Sequence, residues 1–94
     1  MGDARNRYHD RARRVGTELL ADLAGALGAA RRARGMRQAD VAAIMGTSQS
    51  CVSDFERAKT NPQLDFVARY AAAVGANLRV VADARSGFRE DGPS

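Results

Sequence analysis

Among 94 residues there is one cysteine, one histidine and one lysine, and each scarcity removes a class of function. A lone Cys51 permits no intrachain disulfide, and with only His9 to offer an imidazole it builds no zinc finger. No metal and no cofactor is therefore expected. No apolar run approaches the roughly 18 residues that a membrane span needs. The stretch MGDARNRYHDRARR lacks the apolar core of a secretory signal, so a cytoplasmic location and no membrane partner are expected. Also missing are a nucleophile coupled to a base, a carboxylate pair and a phosphate-cradling loop; the chain is not expected to be an enzyme. What is abundant is arginine. It supplies all but one of the 15 basic residues, Lys59 being the exception, for a net charge of +4 and a pI near 10.2. Such a balance calls for a polyanionic partner: nucleic acid, an acidic protein or an anionic surface. Charge alone does not choose among them. The length suits one domain, and a domain so small is marginal enough to benefit from oligomerisation.

Residues 1–16 read as a basic extension, with five arginines between Arg5 and Arg14 set against Asp10, either a helical continuation or a mobile arm. A helix is expected from Thr17, which can cap it, with Leu20, Leu23 and Leu27 on one face and Gly35 as its stop. Gly16, Gly25 and Gly28 are places where it would bend or split. Gln38 to Met45 reads as a short helix with Val41, Ala42 and Met45 inward and Gly46 as its end. Thr47 or Ser48 then caps a third helix running to Arg57, anchored by Val52 and Phe55. Asn61 and Pro62 read as the cap and first position of the next helix, with Leu64, Val67, Ala68, Ala71 and Val74 inward and Gly75 as its stop. From Asn77 to Asp83 the period changes to that of a strand, placing Leu78, Val80 and Ala82 on one face. Residues 85–94 read as a flexible tail.

A helix-turn-helix needs a small residue where its helices cross, a glycine in the turn and apolar residues holding the second helix on the first. Ala42, Gly46, Val52 and Phe55 meet these needs, although a plain helical hairpin would need the same residues. The wider pattern decides. Arg31, the turn from Gly35 to Gln38, Ala42, Gly46, the run Gln49-Ser50-Cys51-Val52-Ser53, Glu56, Asn61-Pro62 and Ala73-Val74-Gly75 together resemble the Cro/C1-type (XRE) helix-turn-helix family over Leu27 to Gly75. The resemblance implies an all-α domain of about five helices, spanning residues 17–75, that binds the major groove of double-stranded DNA. It implies that Gln49, Ser50 and Asp54 face base edges, with Ser53 joining either set of contacts. Glutamine can bond adenine bidentately and aspartate can accept from the cytosine amino group. Gln38, Thr47, Ser48, Arg57, Lys59 and Thr60 would meet the DNA backbone, which positions without specifying. Arg31 and Glu56 would form a structural pair, its bidentate geometry suited to arginine. The family usually has glycine where this chain has Ala58. Either the loop is reshaped there, or alanine is held in a left-handed conformation costing about 1–2 kcal/mol.

A single strand at residues 76–84 has no partner inside a helical domain. It is expected to pair antiparallel with its own copy through Leu78, Val80 and Ala82, setting two recognition helices about 34 Å apart. A strand folded back on its own domain and an extended tail are the alternatives. The expected function is a dimeric transcriptional repressor of an inverted-repeat operator, often its own promoter. The alternative is an antitoxin that also binds a partner toxin, through its N-terminal segment or outer surface. Cys51, near the DNA-facing side, is read as a small filler rather than a redox switch.

Overall fold

The computed structural model describes residues 2–83, and these form four helices: α1 (Gly2–Ala33), α2 (Gln38–Met45), α3 (Gln49–Glu56) and α4 (Leu64–Ala73). All four stop in the same way. After each, two amide groups turn back onto the last helical carbonyls, as in Gly46 N to the Ala43 oxygen at 3.3 Å and Thr47 N to the Ala42 oxygen at 2.9 Å. The residue at the turn has a positive φ each time: Gly35, Gly46, Ala58 and Gly75. At Gly75 the positive φ is the constraint, because the one side chain that an added Cβ would meet is the tip of the exposed Arg34, which can move aside.

Helix starts are less uniform. The Ser48 hydroxyl accepts from the Cys51 amide at 3.1 Å and so caps α3. At α2 the Arg37 amide donates back to the Asp40 carboxylate at 2.8 Å. That carboxylate also receives the exposed Arg37 side chain, and these hydrogen bonds hold its pKa below the usual range.

The core gathers where the short helices meet the rest: α2 packs on α3 and α4, and α1 packs on α3 and α4. It is built from Ala24 and Leu27 of α1, Val41, Ala42 and Met45 of α2, Val52 and Phe55 of α3, and Val67, Tyr70, Ala71 and Val74 at α4. Phe55 is its centre. Its ring lies 5.3 Å from those of both Phe66 and Tyr70 in tilted contacts, a geometry favoured by the ring quadrupoles.

Several expectations need correction. Of the two alternatives for the basic extension the structure has the helical continuation: the helix begins at Gly2 rather than at Thr17 and runs unbroken for 32 residues, so the 16/17 boundary lies inside it. Thr17 donates its hydroxyl to the Arg13 carbonyl at 3.0 Å instead of capping. Gly16 and Gly25 are tolerated within α1 without a break, and Leu20 and Leu23 are only half-buried. The helix after Pro62 starts two residues later, at Leu64, with Gln63 in the N-cap position but giving it no side-chain hydrogen bond. Leu64 and Ala68, expected inward, are exposed, and Tyr70 joins Val67, Ala71 and Val74 on the buried face. There are four helices rather than five, and no strand among the described residues. Residues 77–83 carry no regular structure, and Leu78, Val80 and Ala82 are exposed. The physical reason is that strand hydrogen bonds need a second strand, which the described residues do not supply. Residue 84 and the tail expected at 85–94 lie outside the described residues. Tyr8 and His9 touch edge to face at 5.3 Å.

Candidate nucleic-acid interface

The site is organised around a carboxylate that faces inward. Glu56, the last residue of α3, accepts from Arg31 Nε at 2.7 Å and from Arg31 Nη2 at 3.0 Å, a bidentate pair. Gln38 Nε2 donates to it at 3.1 Å, and the Tyr70 hydroxyl donates to it as well. The third arm of the guanidinium, Arg31 Nη1, donates to the Met36 carbonyl at 2.8 Å. One carboxylate thus ties α3 to α1, to the start of α2 and to α4. The Arg31 and Glu56 side chains are 11 % and 8 % exposed.

Such burial matters only if every polar atom is satisfied, and among the described residues no buried side-chain nitrogen or oxygen lacks a partner. Burial pushes the Glu56 pKa up. The hydrogen bonds from Arg31, Tyr70 and Gln38, with the Arg31 charge, outweigh it and hold the carboxyl below its ordinary range. Arg31 is raised, first by its hydrogen bond to Glu56. Tyr70 is raised too, by burial first and then by donating to Glu56.

With Val52 and Phe55 fully buried and Glu56 clamped, α3 can present only its other face. Gln49 and Ser50 stand exposed at its start, and Ser53 and Asp54 are half-exposed one turn on. Among the described residues, none of these four side chains makes a hydrogen bond. Thr47 and Ser48 sit in the turn before them, and Arg57, Lys59 and Thr60 follow, the last three exposed. Ser48 uses its lone pair as the cap and keeps its hydroxyl hydrogen.

Ala58 resolves the choice left by the sequence. Its φ is +56°, the left-handed conformation, and the loop keeps the usual helix ending with Ala58 N to the Phe55 oxygen and Lys59 N to the Asp54 oxygen, both at 2.9 Å. Lys59 therefore leaves α3 along a defined path.

A family model described as a helix-turn-helix domain matches residues 22–84. The chain belongs to the helix-turn-helix domain family. Two curated relatives from Mycobacterium tuberculosis refine the comparison. One carries the provisional name antitoxin HigA3 and is 45 % identical over 65 residues, covering 68 % of this chain and 54 % of its own length. Another, antitoxin HigA1, is 42 % identical over 59 residues, covering 63 % of this chain and 40 % of its own. The chain thus spans about half the length of these relatives, or less. No solved structure matches it.

Within this helix-turn-helix unit the sequence missed two members of the carboxylate cluster. Gln38, expected at the DNA backbone, gives one amide hydrogen to Glu56. Tyr70 carries no motif of its own, although its place between Val67 and Val74 puts it on the inward face and a buried tyrosine hydroxyl demands a partner. Cys51 is half-buried, beside a shallow recess of about 290 Å³ lined also by Pro62, Gln63 and Phe66. Among the described residues no cluster of metal-binding side chains is present, and no helix is long and apolar enough to cross a membrane.

Proposed function

We propose that this chain is a sequence-specific DNA-binding transcription regulator that reads the major groove with the exposed face of α3. One observation carries the reading: a helix fixed by Val52, Phe55 and the Glu56 cluster leaves Gln49 and Ser50 exposed, with Ser53 and Asp54 beside them. Gln49 has the donor and acceptor that adenine N7 and N6 require, Asp54 accepts from a cytosine amino group, and Ser50 tolerates either polarity. Thr47, Ser48, Arg57, Lys59 and Thr60 ring this face and suit phosphate oxygens. Gln38 has one amide hydrogen left for the same purpose.

Operators read by such units are inverted repeats when the protein is a dimer. Exposed Leu78, Val80 and Ala82 are the strand proposed to pair between two copies, giving a repressor of a palindromic site. Selection of bound fragments from random DNA tests both parts. A palindromic consensus supports them, and failure to enrich any sequence refutes the DNA reading.

The names of the HigA relatives favour a second role beside the first, that of an antitoxin which binds a toxin as well as its operator. Co-expression with a neighbouring short reading frame tests it. Growth rescue by this chain is expected, and continued growth arrest would count against the role.

A further inference from the structure

The first half of α1 contributes nothing to the core, and every residue from 4 to 19 is exposed. Its side chains are nonetheless sorted by face. Tyr8, Ala12, Val15 and Leu19 follow one another at steps of four, three and four, the spacing of a coiled-coil seam. Tyr8, Val15 and Leu19 are 67 %, 52 % and 50 % exposed. At 3.6 residues per turn this stripe lies about a third of a turn round from the face that Ala24, Leu27 and Arg31 bury, so it does not continue the core face. The side opposite the stripe satisfies itself: Arg13 donates to Asp10 at 3.0 Å and Thr17 to the Arg13 carbonyl. At each end the seam runs into a charge. Arg5 lies one step before Tyr8 and Asp22 one step beyond Leu19, both exposed.

We propose that this seam pairs, antiparallel, with the same helix of a second copy of the chain. The register sets Tyr8 against the second copy's Leu19 and Ala12 against its Val15, with a two-fold axis between residues 13 and 14. Each layer then occurs twice, as an isologous contact requires. Bulky side chains fill the outer apolar layers, while small Ala12 lets the helices approach at the centre. Arg5 faces the second copy's Asp22 at each end. Arg11 and Glu18 flank the seam on one side and meet as an opposite-charge pair across it. Gly16 leaves room on the other flank beside His9.

The charges also select the occupant and its direction. A parallel pair would stack Arg5 on Arg5 and Asp22 on Asp22, layers of like charge. A uniformly acidic partner would meet Glu18 and Asp22 as well as the arginines. Of these three, the antiparallel copy matches every sign. The contact uses residues unrelated to Leu78, Val80 and Ala82, and places two helix-turn-helix units toward opposite ends of a paired rod, about 40 Å apart.

The test is sedimentation equilibrium of the full chain carrying Val80→Asp, which removes any contribution of the C-terminal segment. It compares this parent with added Arg5→Asp, added Asp22→Arg and both exchanges together, circular dichroism confirming equal helix content. Each single exchange should weaken self-association about tenfold, and the double exchange should restore it. Equal behaviour of all four proteins, whether associated or monomeric at high micromolar concentration, overturns the proposal and leaves the α1 face to a different protein. Direction is read separately in a Cys51→Ser background by mixing Ala12→Cys with Val15→Cys. A disulfide joining the two different variants is expected. Disulfides only between identical chains, or none, would overturn the antiparallel register.

Discussion

Replacing Glu56 with alanine should cost far more than its place at the end of a short helix suggests. The substitution removes the acceptor of four hydrogen bonds: two from Arg31, one from Gln38 and one from Tyr70. Arg31 would keep only its bond to the Met36 carbonyl while remaining buried, and the fully buried Tyr70 hydroxyl would lose its acceptor. Breaking a buried ion pair by removing one partner costs about 3–5 kcal/mol, because the other charge stays behind. Domain stabilities are about 5–15 kcal/mol, and a chain of this size belongs near the bottom of that range. Glu56→Ala should therefore lower Tm by about 12–40 °C at roughly 4–8 °C per kcal/mol, or unfold the domain at ambient temperature. Arg31→Met alone strands the carboxylate and should also be severe. The double variant strands neither charge and should be milder than the sum of the singles. Urea unfolding followed by circular dichroism gives the cycle, with Glu56→Gln as a gentler arm if alanine proves too destabilising. A coupling of about 2–3 kcal/mol is expected for groups in direct contact. A value below about 0.5 kcal/mol would show that the cluster does not hold α3, and the reasoning would fail.

Further outcomes follow from the same geometry. Ala58→Gly relieves a left-handed alanine worth about 1–2 kcal/mol against about 0.4–1 kcal/mol of added unfolded-state freedom, so chemical denaturation should show a small net gain. Because the Glu56 pKa is depressed in the fold, its stabilisation is present above the ordinary carboxyl value of about 4.3 and is lost as pH falls through the lower folded value. Glu56→Gln should flatten that acid limb of the stability profile. Tyr70 is shifted the other way, so its contribution is present below the ordinary tyrosine value of about 10 and is lost as pH rises above it. Lys59→Ala should weaken binding to all DNA sequences alike and reduce the slope of log affinity against log salt by about 1. A selective loss at one base position would move Lys59 into the reading set.

The centre of the chain was legible because its signals are local. Gly46 ends α2, Ser48 caps α3, and Val52 with Phe55 sets its inward face, all within a few residues of sequence. Arg31 and Glu56 are 25 positions apart, and only the family resemblance joined them. Tyr70 and Gln38 entered the same cluster unseen, since a contact among four elements leaves no periodicity to read. Pro62 misled for a definite reason: it fits the first turn of a helix, yet the chain makes two more residues of loop and starts α4 at Leu64. Residues 1–16 lacked a core face, so pattern alone did not say whether they continued α1. The C-terminal segment is the opposite case, a clear alternating pattern with no strand to pair with among the described residues.

The most direct test of the central proposal is binding selection on random DNA with the unaltered chain and with Gln49→Ala, at matched salt. The expected result is a palindromic site for the unaltered chain, with Gln49→Ala relaxing preference at one symmetric position and losing about 1–3 kcal/mol there. No enriched sequence, or an identical consensus for both proteins, would contradict α3 as the reading helix.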